Sequence, residues 1–347
     1  MVARAEDRGL GIMLWEWCRH MEPDRVLVVN MGALARGFPM HLDRYPGATV
    51  AGFDGTRMDE AMVRDWLTGL DVVYCAETFY DDRFPGWCAD AGVRVVLHVM
   101  PEFYRWGPGD LPGVTWWAPT TWRLDKLPAG TRVVPVPVPL DRWPEPAPVR
   151  DEGPCRFLHV AGRRAMGDRN GTSLVFAAIG RCVEPMHVTV VTQDHRLPLA
   201  RSRAGVTVER VTGGVEDYWR LYEGHDVLLM PRRYGGLSLP VNEAAGAGLA
   251  LVMTDTGANA DTWPIYPVKV ATAGAVSTPG GAVISAGAST GDLAAAMNAL
   301  ARPSTALARP FYARDLHQHQ ARAWAEEHSW AALRPLILEE LERACGA

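Results

Sequence analysis

The stretch from Asp226 to Asp255 reads DVLLMPRRYGGLSLPVNEAAGAGLALVMTD, and few local structures satisfy it. Val227 to Met230 is a short apolar run of the kind a buried parallel strand shows. Pro231 ends it, and Gly235-Gly236 supplies backbone that can take unusual dihedrals and let a ligand come close. Pro240 suits the first turn of a helix, where its missing N–H costs nothing. Gly248 suits the stop after that helix, and Leu249 to Met253 is the next buried strand. The pattern is strand, glycine-rich loop, helix, strand, with Glu243 expected in the first helical turn at the carboxyl end of a strand. Open α/β sheets bind ligands there, and N–H groups at such a helix start favour phosphate.

Strand-like runs recur along the chain. They are expected at Val26–Asn30, Thr49–Phe53, Asp71–Cys75, Arg94–Val99, Val114–Ala118 and Arg132–Val136, separated by helical or irregular segments. That alternation predicts a parallel sheet with crossover helices. Residues 135–148, PVPVPLDRWPEPAP, hold six prolines and few donors, so a stiff linker is expected there. The predicted division is 1–148 and 149–347. Cys155 to Val160 opens the second domain as a buried strand. Residues 272–289 are rich in Gly, Ala, Ser and Thr and read as loop, with one strand near Ala282–Ser285. Amphipathic helices are expected at 290–301, 310–326 and 329–343.

The charge balance excludes one class of partner. The first 148 residues carry 15 basic against 20 acidic side chains, and the remainder carries 20 of each. Neither part is basic overall, which argues against tight sequence-independent nucleic-acid binding. The six cysteines form no C-x-x-C pair or zinc-like spacing, so reduced thiols and no metal site are expected. No apolar run approaches a membrane span and no signal-peptide core is visible, so the expected location is cytoplasmic.

YGGLSLPVNEAAGAGLALV resembles the donor-site motif of nucleotide-sugar glycosyltransferases of the GT-B fold, particularly the large retaining class. Their usual run is E-G-F-G-L-P-x-x-E-A-x-A-x-G-x-P-V, with two glutamates eight positions apart. Glu243 matches the second glutamate, which in that family holds the ribose hydroxyls of the donor. Gly235 occupies the place of the first, whose carboxylate there contacts the transferred sugar. A second stretch, HVAGRRAMGDRNGT from His159 to Thr172, is similar to the family's G-R-x-x-x-x-x-K-G loop, whose two cations clamp the donor diphosphate. Arg163 matches the arginine, and Arg169 falls where lysine is usual. Guanidinium suits phosphate oxygens, so that exchange is chemically tolerable.

The resemblance implies an α/β chain of two Rossmann-like domains facing across a cleft. It implies transfer of a hexose or pentose from a nucleoside diphosphate sugar to an acceptor held by the first domain, with retention and no obligatory metal. Donor contacts are expected from Gly162, Gly235, Gly236, Leu237, Ser238 and Glu243, and leaving-group stabilisation from Arg163 and Arg169. Val211 to Gly214 is placed to contact the nucleobase, and Gly9 and Gly11 are placed to face the donor phosphates. His98 closes the strand RVVLHV, where retaining enzymes often carry a histidine near the transferred sugar; a lone strand histidine is otherwise a packed structural residue. The last helix of the family crosses back to brace the first domain, and Trp324 and Trp330 suit that contact.

Several residues keep two roles at this level. Arg164 is undecided, Asp168 orders its loop or meets the ligand, and Arg232 and Arg233 add charge at the diphosphate or cover the surface. Glu77 or Glu102 orients an acceptor hydroxyl or neither does. Trp116, Trp117 and Trp122 pack the core or form an aromatic platform. A nucleotide-sugar-binding protein without strong turnover, motivated by Gly235, and a nucleotide-sugar epimerase are the alternative functions. The acceptor is a small molecule, a glycan or a modified DNA base.

Overall fold

Apolar runs alternating with helical segments close into parallel sheets in both halves of the chain. The computed structural model describes residues 1–6, 9–29, 40–51, 53–54, 57–107, 111–146, 148, 152–162, 168–213, 217–256, 259, 262–302 and 314–346. The chain divides into two compact units, the first built from Met1–Pro137, Pro279–Gly281 and Trp330–Ala347 and the second from Val138–Thr278 and Ala282–Ser329. The crossing at Pro137–Val138 lies inside the proline-rich stretch, before the division expected at 148/149.

The first unit contains β1 (Val2–Ala3), α1 (Gly9–Met21), β2 (Leu27–Val29) and β3 (Thr49–Ala51), whose strands pair in parallel in the order β1-β2-β3. A short antiparallel pair follows, β4 (Phe53–Asp54) with β5 (Arg57–Met58). Next come α2 (Glu60–Leu67), β6 (Val72–Ala76), α3 (Phe84–Asp90), β7 (Arg94–His98), β8 (Val114–Ala118) and β9 (Arg132–Val133). The last four strands form a second parallel sheet in sequence order. Asp59 caps α2 by accepting from the Met62 N–H, which satisfies one donor the helix start leaves open. Val63, Trp66 and Leu67 of α2 are buried in a core shared with Val73, Cys75, Val95 and Leu97.

The second unit holds β10 (Cys155–Gly162), α4 (Thr172–Ile179), β11 (Met186–Thr192), β12 (Val206–Thr212), β13 (Val227–Met230), α5 (Leu239–Gly246), β14 (Ala250–Thr254) and β15 (Tyr266–Val268). Six strands pair in parallel in the order β12-β11-β10-β13-β14-β15. In order of appearance this is 3-2-1-4-5-6, the doubly wound arrangement whose direction reverses between its first and fourth strands. Val227 to Met230 are all fully buried, as an unbroken apolar strand inside such a sheet must be.

Beyond β15 the structure differs from expectation. Val270–Thr278 (β16) and Gly281–Ala288 (β17) form a two-stranded hairpin where mostly loop was expected. Small residues there leave no apolar alternation to read, and backbone pairing forms without one. Helices α6 (Thr290–Ala301), α7 (Arg314–Glu327) and α8 (Trp330–Cys345) complete the chain. Trp330 packs within the first unit, edge-on to Trp17 at 5.4 Å and stacked on His20 at 4.7 Å. Trp324 stays in the second unit, 6.4 Å from Trp263. Among the described residues no helix is long and apolar enough to cross a membrane.

Candidate functional site

In the second unit the strand order reverses between β10 and β13, the position at which open sheets of this topology hold their ligands. Both glycine-rich stretches of the sequence follow these two strands. Gly162 ends β10 at φ +65°, beside an irregularity in the ladder between Val160 and Gly162. Asn170 Nδ2 reaches back to the Val160 carbonyl at 3.0 Å and closes the loop. Arg163 and Arg164 lie outside the described residues, as does Gly214.

Asp168, itself at φ +56°, orders the start of α4: it accepts from the Thr172 N–H at 2.7 Å and the Ser173 N–H at 3.2 Å. A carboxylate on these donors serves the helix start internally. Gly171 at φ +73° lets the backbone pass Pro231, where a Cβ would lie only 3.0 Å from the proline Cγ. The two loops are then tied directly. The Arg233 N–H donates to the Arg169 carbonyl at 2.8 Å, and Arg169 Nε donates to the Tyr234 carbonyl at 3.3 Å. Beneath them His159, fully buried, bonds the Leu229 carbonyl through Nδ1 at 2.7 Å and Thr172 Oγ1 through Nε2 at 2.9 Å. Only a protonated Nδ1 can meet a carbonyl, so Nε2 accepts from the hydroxyl. Burial lowers the His159 pKa and keeps the ring neutral.

Gly235 is the point of convergence. Its φ is +110°, a conformation few L residues adopt, and a Cβ there would overlap Nη2 of both Arg169 and Arg232. Two guanidinium groups therefore fill the space a side chain at 235 would occupy. Arg232 is almost wholly buried; its Nε donates to the Tyr234 carbonyl at 3.0 Å and its Nη1 to the Leu237 carbonyl. It is thus a latch across the loop 234–237, and its burial is at odds with the surface cover open at the sequence level. Arg169 also lies 5.3 Å over the Tyr234 ring.

Next to this pair, α5 begins at Leu239 with Pro240 in its first turn, and its N-cap Ser238 makes no side-chain cap hydrogen bond. Glu243 sits in the second helical turn, not the first as expected, because the helix opens at Leu239. The carboxylate is buried and accepts a hydrogen bond from Tyr222 Oη. Neither Tyr222 nor its link to Glu243 was picked out of the sequence. A buried carboxylate needs a donor, but no local spacing says which residue provides it.

The first-unit candidates divide differently. Gly11 is within α1, and a Cβ on it would overlap the Glu6 carbonyl oxygen and lie 3.1 Å from the carbonyl carbon; close helix packing requires this glycine, and Gly9 and Gly11, expected to face the donor phosphates, both lie in the helix. His98, expected near the transferred sugar, is buried at the end of β7. It is fully enclosed by Tyr74, whose hydroxyl meets Nδ1 at 3.0 Å, and by Trp117 at 6.0 Å. Trp117 is likewise core, and Trp116 packs half-buried against the same cluster. Glu102 is buried, and Glu77 takes φ +67° at the carboxyl end of β6.

Burial lowers the His98 pKa from 6.5 to about 4, opposed by the backbone at Val134 and Ala118. Between those values the unfolded chain holds a proton that the folded chain rejects. Stability from this residue is therefore full above pH 6.5 and falls on acidification, by about 3 kcal/mol at pH 4. Denaturant unfolding across that window should show the slope, and His98→Phe should flatten it. Equal slopes in the two proteins would remove the assignment.

Residues 156–302 match the sequence model of the family described as "Glycosyl transferases group 1". No curated protein matches. Among solved structures, a glycosyltransferase from Rickettsia africae superposes with a TM-score of 0.65 over 99% of this chain and 97% of its own, at 12% identity. The fold is GT-B. HepE from Anabaena, solved with UDP and glucose, gives 0.63 over 99% of both chains at 13% identity. AviGT4, a glycosyltransferase involved in avilamycin A biosynthesis, gives 0.58 over 99% and 92% at 16% identity. At these identities the likeness is one of fold. Within that GT-B fold, the family match spans the unit that holds Arg169, Arg232, Gly235 and Glu243.

Gly235→Glu tests the departure from the motif. The new carboxylate would pair with Arg169 and Arg232 and offset their charge, on a backbone that resists any side chain. Binding of a nucleoside diphosphate should weaken by roughly tenfold or more, the scale of one charged hydrogen bond. Calorimetric titration measures it, and a variant that binds more tightly or transfers faster would refute the interpretation.

Proposed function

We propose that the protein is a retaining glycosyltransferase that moves a hexose or pentose from a nucleoside diphosphate sugar to an acceptor. One observation carries the proposal: Arg169 and Arg232 converge at Gly235, at the switch point of a 3-2-1-4-5-6 sheet and beside the start of α5. A diphosphate is a compact dianion, and two guanidinium groups with a helix start are complementary to it in charge and donor geometry. Glu243 holds the ribose hydroxyls, since an ionised carboxylate accepts and never donates. Gly162, Gly236, Leu237 and Ser238 shape the loops around the diphosphate and the sugar, and Arg163 joins Arg169 at the leaving group.

The family match over 156–302 and the complexes of HepE with UDP and glucose and with UDP-glucose support this donor class. The reaction runs without an obligatory metal because the arginines take over charge neutralisation. The enzyme works in the cytoplasm on a small molecule, a glycan or a modified DNA base. The excess of acidic residues in the first 148 leans against DNA.

A thermal-shift panel of UDP-, GDP-, ADP- and dTDP-sugars tests the donor, and product analysis with the stabilising donor tests transfer. Stabilisation by none of them would sink the proposal. A second function, nucleotide-sugar binding without strong turnover, is favoured by the missing carboxylate at Gly235 and the enclosure of His98. Stabilisation without transfer or donor hydrolysis selects it.

A further inference from the structure

The Glu243 carboxylate is held from a part of the chain that the donor motif does not include. Tyr218–Tyr222 is a 3₁₀ turn between β12 and β13, and its last residue sends a phenol to Glu243 Oε2. Both partners are buried, so neither can exchange this bond for water without disturbing the core. Burial, then the adjacent Glu243 carboxylate, pushes the Tyr222 phenol well above its ordinary pKa, so it stays a donor.

A wedge keeps the two elements in register. Trp143 meets Tyr222 edge-on at 5.8 Å, and its Nε1 donates to the Trp219 carbonyl at 3.1 Å. Its other side supports α5: a Cβ added at Gly246 would stand 3.0 Å from Trp143 Cε3. Arg322 of α7 then donates through Nη1 to the Trp143 carbonyl at 2.8 Å and the Gly246 carbonyl at 2.6 Å. The turn, the wedge and the helix are thus bonded as one body around a single carboxylate.

We propose that Tyr222 is a positioning residue that orients Glu243 and thereby sets the preference of the site for ribonucleoside over 2′-deoxyribonucleoside diphosphates. The proposal rests on the function proposed above, with Glu243 as the ribose acceptor. A carboxylate oriented by the phenol presents its acceptor positions in a fixed direction. A vicinal diol can satisfy that geometry twice, and a deoxyribose only once. Released from the phenol, the carboxylate turns to follow whichever hydroxyl is present, and the discrimination falls.

The experiment compares the dissociation constants of UDP, GDP and ADP with those of dUDP, dGDP and dADP, for the wild type and Tyr222→Phe. The ratio within one base pair of ligands is independent of the active fraction of a preparation. The wild type should favour the ribose form by about tenfold or more, as a lost hydrogen bond to a charged group implies, and Tyr222→Phe should reduce the preference to within about threefold. In a Glu243→Gln background the same change should add nothing further, because the two residues act through one bond. An unchanged ratio in Tyr222→Phe, or full additivity with Glu243→Gln, overturns the positioning role while leaving the donor proposal intact. Equal affinity of the wild type for both sugars removes the ribose role of Glu243 and this inference with it. Binding of none of the six removes the donor proposal as well. If Tyr222→Phe fails to fold, Trp143→Phe loosens the wedge with both partners present; it should lower the ratio by a smaller factor, and no change there equally overturns the role.

Discussion

Turnover of Arg169→Ala is expected to fall about 10²–10³-fold, the usual consequence of removing one preorganised partner of developing charge. Charge builds on the leaving diphosphate as the glycosidic bond breaks, so a cation fixed there lowers the barrier more than it tightens the ground-state complex. Arg169 is fixed: its carbonyl accepts from Arg233, its Nε holds the Tyr234 carbonyl, and its guanidinium fills the space over Gly235. The donor dissociation constant should therefore change much less than kcat. Arg169→Lys retains charge but loses the fork and the bond to Tyr234, so intermediate activity is expected. Steady-state kinetics with a saturating donor decide it. A kcat within threefold of wild type for Arg169→Ala would discard the leaving-group role.

Glu243→Ala should weaken donor binding by about 10- to 100-fold, the worth of hydrogen bonds to a charged group. With Glu243 as the proposed ribose acceptor, the loss should appear in donor affinity, because such contacts are the same in the ground and transition states. Truncation also leaves the buried Tyr222 hydroxyl without its acceptor, so a modest fall in melting temperature accompanies it. Glu243→Gln keeps an acceptor for that hydroxyl and separates the two effects. Titration calorimetry with the nucleoside diphosphate reads the affinity, and unchanged binding in both variants would remove Glu243 from the site.

Several features were legible because their causes are local. Pro231, Gly235, Pro240 and Gly248 punctuate a βαβ unit over a few residues, and the unit appears where they predict it, with Gly248 at φ +77° after α5. The stretch from His159 to Thr172 was singled out by its resemblance to a diphosphate-clamping loop; β10 ends at Gly162 and α4 starts at Thr172. Other features depend on what packs against what. His98 looks like a strand-end histidine until Tyr74 and Trp117 close over it. The stretch 135–148 has the composition of a spacer, yet its Trp143 is buried between a 3₁₀ turn and a helix.

The sequence by itself determined the fold class, the strands that carry an apolar run, and the glycine-rich stretches that follow β10 and β13. Hydrophobic period and turn chemistry act within a few residues, and the connection rules of parallel sheets do the rest. Only the tertiary structure decided which side chains meet in those loops. Arg232 joins Arg169 at Gly235 from 63 positions along the chain, and Tyr222 reaches Glu243 across a separation of 21 residues. Such meetings depend on how elements dock, and no local pattern records docking. A glycine where a glutamate was expected was visible in the sequence; that two guanidinium groups fill its place became visible only once the sheet had brought the loops together.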